Sequence, residues 1–343
     1  MGMKMVAVYF DDPDFDDYPF DIDLYRKVYH QLGQVMEDRG GQLSIVRSQK
    51  TFLGHGKFSH AWTYEAGAFV YSDMPKTFDV VWNKGEFLPD ADTMTVNDPR
   101  LTAITGDKWV SEQWFPEIHA PTVLLQNSDD MKKAMQVIGT DRIVLKPLMG
   151  YGGEGVVVMD KEEWGNAPPV FPCIAQEFID TSRGIPGLVD GMHDFRVIVM
   201  DGEIVLSYIR TPPPHKFTAN VSQGGREIEV MRDMVPSAVE EIVAVVEKKF
   251  RQFPHRLYTI DMGLDVSGRW EVFELNARPG FSPMETGKSY PPFYERLCDF
   301  LLSIHKSGAS GGATASSSSS PSSSISSSSR SDSQVQPLPQ PQL

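Results

Sequence analysis

Cysteine is almost missing from this sequence: Cys173 and Cys298 are the two present in 343 residues. Both sit among apolar neighbours, so they read as buried thiols rather than a disulfide, as suits a reducing, cytoplasmic compartment. Two cysteines alone would leave a structural zinc under-coordinated. Long hydrophobic runs are missing too, and no stretch approaches a membrane span. The opening MGMKMVAVYFDD is too short and too soon acidic for a secretory signal. A myristoylation signal wants Ser or Thr where Val6 stands. Positive charge is in deficit, with a formal net charge of −14. That excludes a general affinity for nucleic acid or anionic membrane, though not a local basic pocket for an anionic nucleotide. No Gly-Lys-Ser/Thr closes a Walker A loop, and no Gly-x-Gly-x-x-Gly fingerprint occurs. Nor is there a persuasive Ser-His-Asp or Cys-His arrangement, or an internal repeat.

What is present suffices for two or three domains, with 41% hydrophobic residues to fill their cores. Met5–Phe10 reads as a buried strand, and Leu24–Met36 carries apolar residues at helical spacing before Gly40 and Gly41. Leu43–Val46 and Phe78–Trp82 read as further strands. The order strand, helix, strand predicts a small parallel α/β domain over residues 1–96. The aromatic stretch Thr51–Ser72 is expected to pack over that sheet or to wall a substrate site. Asp98-Pro99 signals a helix start for the stretch Asn97–Trp114, in which Lys108 taken alone reads as a solvated helix lysine. Val123–Leu125 is a short strand, and Ser128-Asp129 caps a helix running to Val137.

The stretch Ile143–Val158, IVLKPLMGYGGEGVVV, places a glycine-rich loop between two β-branched runs. Gly150, Gly152, Gly153 and Gly155 let the backbone approach a ligand, and successive N–H groups in such a loop can cradle phosphate oxygens. Lys146 leaves the first run where it could reach the same anion. A mobile surface hairpin with a solvated lysine is the plainer alternative. Ile174–Ile179 reads as a strand holding Glu177, which either lies on the outer face of an edge strand or is placed for a partner. Asp194–Met200 and Glu203–Arg210 form a hairpin about Asp201-Gly202, with Arg196 committed to one face. Ser237–Phe253 is an amphipathic helix.

Leu257–Leu264 and Trp270–Asn276 read as two strands joined at Ser267-Gly268. Asp261 lies in the first; Glu274 and Asn276 lie on one face of the second. Three oxygen donors on adjacent strands suit Mg²⁺, which favours carboxylates together with phosphate oxygens. Their apolar sequence neighbours argue against a merely acidic surface, since buried carboxylates without a cation are costly. Arg278 follows at once, well placed for an anion. Pro291–His305 reads as a last helix. From Ser307 to Leu343 the chain is Ser-, Pro- and Gln-rich and is expected to be disordered, its PLPQP ending a weak ligand for an SH3-type groove.

In this order the pieces resemble the ATP-grasp superfamily, in its glutathione synthetase and ribosomal-protein glutamate ligase branch, from about Asn97 to His305. Asp107-Lys108, the Lys146–Val156 loop, Gln176-Glu177-Phe178-Ile179, Asp194-Phe195-Arg196, the Arg210, Asn220 and Gly224-Gly225 segment, Asp261, and Glu274-x-Asn276 each match a motif of that branch. The N-terminal α/β region resembles the family's pre-ATP-grasp domain more loosely. The resemblance implies an α/β and α+β protein: an ATP-grasp domain over 97–306, with ATP between two subdomains, and a disordered tail over 307–343.

By the same resemblance, Lys108 and Lys146 would contact phosphates beneath the loop of Gly150, Gly152 and Gly153. Glu177, Phe178 and Ile179 would read adenine, and Asn220 would join the nucleotide site. Asp261, Glu274 and Asn276 would hold one or two Mg²⁺, or Mn²⁺ instead. Arg210, Arg196 and Arg278 would stabilise charge in catalysis. The implied reaction phosphorylates a small carboxylate, which an amine (or thiol) then attacks, with ADP and phosphate released. Small-molecule substrates, no nucleic acid, no membrane and a homo-oligomer are the implied partners. Thr181–Gly191 and Pro212–Pro214 depart from the branch, and Arg278 stands where carbamoyl-phosphate synthetases and carboxylases carry a comparable arginine. An ATP-binding scaffold of synapsin type and a kinase for a small acceptor are the alternatives.

Overall fold

A computed structural model describes residues 2–150, 152–166, 170–213 and 225–305. Asn220, Gly224, Pro214 and the tail from Ser307 lie outside the described residues. The chain opens with β1 (Lys4–Phe10), α1 (Asp23–Asp38) and β2 (Gly41–Arg47). The short strands β3 (Phe52–Gly54) and β4 (Lys57–Phe58) follow, then the hairpin β5 (Ala61–Glu65) and β6 (Ala68–Ser72), and then β7 (Lys76–Thr77), β8 (Val80–Asn83) and β9 (Thr95–Val96). The main sheet runs β6-β5-β2-β1-β8-β9, with β1 parallel to both β2 and β8. The expected parallel α/β core is therefore present. The aromatic stretch does more than cover it: β5 and β6 extend the sheet by antiparallel pairing, with Trp62 opposite Tyr71.

Next come α2 (Pro99–Gly106), α3 (Lys108–Trp114), β10 (Thr122–Leu125), α4 (Asp130–Val137), β11 (Arg142–Pro147), β12 (Val157–Asp160) and β13 (Cys173–Glu177). The strands form an antiparallel sheet in the order β10-β13-β11-β12. The stretch Asn97–Trp114 divides into two helices because Asp107 caps the second, its carboxylate accepting from the amides of Trp109 and Val110 at 2.8 and 3.1 Å.

The last layer holds β14 (Asp194–Met200), β15 (Glu203–Thr211), β16 (Arg226–Glu229), α5 (Ser237–Phe250), β17 (Leu257–Leu264), β18 (Trp270–Asn276) and α6 (Tyr290–Ser303). Its five strands are antiparallel in the order β16-β15-β14-β17-β18. One face of this sheet is apolar along its length; Phe195, Val197, Ile209 and Ile260 there share a buried cluster with Val239, Val243 and Val246 of α5. The opposite face is apolar at one end, where Ile198, Met200 and Leu206 join the core of the N-terminal sheet, and charged at the other. The final helix belongs to that same N-terminal core, its Phe293, Leu297 and Leu301 clustering with Val28, Leu32 and Met36 of α1. Both cysteines are buried and free. No helix among the described residues is long and apolar enough to cross a membrane.

Candidate active site

A cleft with about 970 Å³ of non-atom space, open to solvent, separates the β10–β13 sheet from the charged face of the five-stranded sheet. One wall is β11 and its loop. Lys146 is 9% exposed; its ammonium donates to Gln176 Oε1 at 2.6 Å and to the Phe273 carbonyl at 3.1 Å. Burial lowers its pKa, against the opposing pull of Glu112 and Glu274. Gly150, Gly152, Gly153 and Gly155 all have positive φ. At Gly155 a Cβ would also stand 2.8 Å from Pro147 Cγ, so this turn requires glycine on two counts. Lys108 begins α3 and ties it to the loop: its amide donates to the Leu148 carbonyl and its ammonium to the Gly150 carbonyl, each at 2.9 Å.

The far end of the cleft is apolar, with Val144, Val158, Ile179 and Met192 beside Glu177 and Phe178. Glu177 is on no edge strand, since β13 pairs on both sides. Of the two expectations for it, placement for a partner holds, and the partner is the Gly139 amide. Phe178 and Ile179 leave the ladder, and the Phe178 amide donates to Thr140 Oγ1 at 3.3 Å. His193 also lines the cleft. Its Nε2 accepts from the Leu264 amide at 3.1 Å while Nδ1 donates to the Gly191 carbonyl at 3.0 Å, and burial lowers its pKa, so it is a neutral structural histidine.

The other wall follows from strand register. Tyr208, Arg196, Asp261 and Glu274 are successive cross-strand neighbours over β15, β14, β17 and β18. Glu227, Arg210 and Asp194 form a second row beside them. Arg196 Nε donates to Asp261 Oδ1 at 2.5 Å and its Nη2 to Oδ2; Arg210 Nη2 reaches the same Oδ2 at 2.7 Å and also pairs with Asp194. Burial pushes the Asp261 carboxyl up, but the two guanidinium groups outweigh it and hold the pKa below the usual range. Asp194, buried beside the anionic Asp261, is raised to about 6 despite Arg210.

Glu274 faces the cleft, and Asn276 is 9% exposed with its Oδ1 accepting from the Arg278 amide at 2.7 Å. Of the expected metal set, Asp261 and Glu274 face each other across β17 and β18 and line the cleft, Asp261 being shared with two arginines, whereas Asn276 does not line it. No group of three or more His, Cys, Asp or Glu among the described residues is arranged to hold a metal. The chemistry of the donor set still fits Mg²⁺, which is commonly bound through one or two carboxylates with phosphate oxygens completing the shell.

Arg278 lies at the carboxyl ends of β1 and β8, where it pairs with Glu86. Beside β1 lies its successor β2 on one side, while β8 lies on the other with its own successor β9 beyond it, so the crevice between β1 and β8 is a topological switch point, where open α/β sheets bind ligands. The Lys84 ammonium donates to the Pro279 carbonyl and lies 4.9 Å over the Trp82 ring. Burial lowers its pKa to about 7, helped by Arg278 and Arg196. Arg278 Nη1 donates to Glu86 Oε1 at 2.6 Å, and the Glu86 amide is held by Asp11 at 2.9 Å. Lys84, Glu86 and Glu112 are functional candidates that motif reading passed over, and Gln176 entered it only as part of a strand motif. Lys84 and Glu86 directly follow a predicted strand, and Glu112 is one helical turn beyond Lys108.

Comparison with known proteins supplies the family. Residues 108–277 match the ATP-grasp domain of prokaryotic glutathione synthetase. A glutathione synthetase of Synechocystis is 26% identical over 252 residues, covering 68% of this chain and 75% of that protein. A probable alpha-L-glutamate ligase of Legionella pneumophila is 27% identical over 202 residues, covering 56% of this chain but only 61% of its own length. Among solved structures, D-alanyl-alanine synthetase A of Vibrio cholerae superposes with a TM-score of 0.57 at 15% identity, over 88% of this chain and 97% of that one. A D-cycloserine synthetase gives 0.60 at 12% identity, over 86% and 99%. Matched across its cleft, its glycine loop and its acidic strand pair, the chain belongs to the ATP-grasp superfamily of ATP-dependent carboxylate–amine ligases, in the branch of the glutathione synthetases and ribosomal-protein glutamate ligases.

Proposed function

We propose that the protein activates a small carboxylic acid, an amino acid or short peptide, as its acyl phosphate and joins it to an amine. The carrying observation is the opposition of two lysines with a positive-φ glycine loop on one wall to Asp261, Glu274 and Arg210 on the other. Lys108 and Lys146 neutralise phosphate oxygens beneath the loop of Gly150, Gly152 and Gly153. The backbone of Glu177–Ile179 reads adenine against the apolar end of the cleft. Asp261, Glu274 and Asn276 would hold Mg²⁺, which would supply charge neutralisation at the phosphates.

The acid enters from the crevice of Lys84 and Arg278, whose charges orient its carboxylate. A carboxylate oxygen takes the γ-phosphoryl group and ADP leaves; the amine nitrogen then attacks the acyl carbon, and phosphate departs with the bond electrons and takes up the proton that the amine loses. Arg196 and Arg210 stabilise the negative charge that builds at the phosphoryl group and the tetrahedral carbon. No protein nucleophile is required. The test is ADP release with pools of acids and amines, read together with mass spectrometry of condensation products. A ligase needs both an acid and an amine. A kinase needs one acceptor, and a scaffold releases almost no ADP, so either of those results overturns the reading.

A further inference from the structure

Behind Lys146 lie buried polar side chains, Gln176 and Glu112, that the reaction itself does not use. Glu112 is 6% exposed, Gln176 1% and Lys146 9%. Gln176 Nε2 donates to Glu112 Oε1 at 2.6 Å and to Thr122 Oγ1 at 3.0 Å; Gln176 Oε1 accepts from Lys146 Nζ at 2.6 Å. A side-chain amide has one acceptor end and one donor end. Which end faces Lys146 decides whether the ammonium is held or repelled. Glu112, as a carboxylate, can only accept. It therefore fixes the NH₂ end toward itself and the oxygen toward the lysine. Thr122 acts in the same sense, because its own proton goes to the Ala120 carbonyl at 2.8 Å and its oxygen is left to accept from the NH₂ end.

His119 does not supply the opposing charge. Its Nδ1 donates to the Val272 carbonyl at 3.1 Å and lies 3.5 Å from Glu112 Oε1, and burial lowers its pKa to about 4, leaving it neutral. The cation facing Glu112 is Lys146, one amide away. A second contact aims the same ammonium: the register of β17 and β18 slips after Asp261, leaving Phe273 outside the pairing, and its carbonyl accepts from Lys146. Two of the three ammonium protons are thus assigned, and the third is left for the cleft.

We propose that Glu112 is a positioning residue for the nucleotide, which sets the orientation of the Gln176 amide and through it the place of the Lys146 ammonium. Glu112 lies four residues after Lys108 on α3, so one short helix governs both lysines, one directly and one through the amide. This rests on the reading that Lys146 contacts phosphate. It adds that a residue with no substrate contact controls nucleotide affinity by a route that runs wholly through Lys146.

The test is a double-mutant cycle on the full-length protein with MgATP, reading the dissociation constant by calorimetry alongside KM and kcat. Glu112→Met should weaken MgATP binding by about tenfold, the scale of losing one charge-assisted hydrogen bond, and raise KM more than it lowers kcat. Glu112→Gln, which keeps an acceptor oxygen, should recover part of that loss. Lys146→Met should be weak alone, and adding Glu112→Met to it should cost almost nothing further. Additive losses in the double variant overturn the proposal, as does parental affinity in Glu112→Met. Parental affinity in Lys146→Met instead overturns the underlying reading of Lys146. Should Glu112→Met fail to fold, Gln176→Met enters the same cycle, with the same outcome required.

Discussion

Arg196 faces Asp261 directly across β14 and β17 and engages both of its carboxylate oxygens, while Arg210 shares one of them. The aspartate is therefore structural as well as a candidate metal ligand. Asp261→Asn would leave the buried Arg196 guanidinium without its anion and Arg210 with Asp194 alone. Breaking one side of a buried ion pair typically costs roughly 3–5 kcal/mol. Denaturant unfolding of this variant should show a large loss of stability beside the loss of turnover. Parental stability would show that the arginines gain nothing from Asp261.

Glu274 offers the contrast. Its carboxylate lines the cleft opposite Asp261, and no hydrogen bond to it occurs among the described contacts. Glu274→Gln should change stability by no more than about 0.5 kcal/mol. Much of the ATP affinity should persist through the lysines and the adenine contacts. Mg²⁺-dependent ADP release should fall by orders of magnitude, because an octahedral ion that loses a carboxylate is misplaced rather than merely weakened. Near-parental release would remove Glu274 from the metal site.

The sequence made some of this legible, and the reasons are local. Asp201-Gly202 announces its hairpin because both residues adopt positive φ, 46° and 91°, which Asp and Gly tolerate. The hairpin β5–β6 turns the same way at Ala66-Gly67, with φ of 50° and 90°, but alanine gives no such signal, so that stretch reads only as aromatic packing. Strand alternation puts Asp261, Glu274 and Asn276 on one face. It cannot say that Asp261 would be shared with arginines from two other strands, because that depends on strand order. Glu112 and Lys84 carry no motif; one works through a residue 64 positions away, and the other through a carbonyl 195 positions away.

The pH dependence of stability should carry the mark of Glu112. Burial raises its carboxyl pKa to about 7, against the opposing effect of Lys146. An acid whose pKa is higher folded than unfolded binds its proton more tightly in the folded state. Stability from this group is present below the unfolded value, near 4.5, and is lost as pH rises through about 7. Glu112→Gln cannot titrate. Denaturant midpoints measured at pH 5 and pH 8 should therefore fall less for Glu112→Gln than for the parent. An equal change in both proteins would show that Glu112 does not titrate with folding.

In the proposed reaction, Lys84 distinguishes the acid substrate from the nucleotide. Its ammonium is at the crevice of β1 and β8, while the lysines of the nucleotide wall are on α3 and β11. Lys84→Met should therefore raise KM for the carboxylic acid and leave MgATP affinity at its parental value. The same residue predicts a pH effect of definite sign. Burial, with Arg278 and Arg196 nearby, lowers its pKa to about 7, so its charge is lost as pH rises past that value. A carboxylate held by that charge should bind more weakly above pH 7 in the parent, and the trend should flatten in Lys84→Met, which has no charge to lose. Initial rates over acid concentration at pH 6, 7 and 8, with MgATP saturating, measure both effects. If KM rises equally steeply in the two proteins, the acid is held elsewhere. If MgATP affinity falls in Lys84→Met, the crevice is part of the nucleotide site rather than the entrance for the acid.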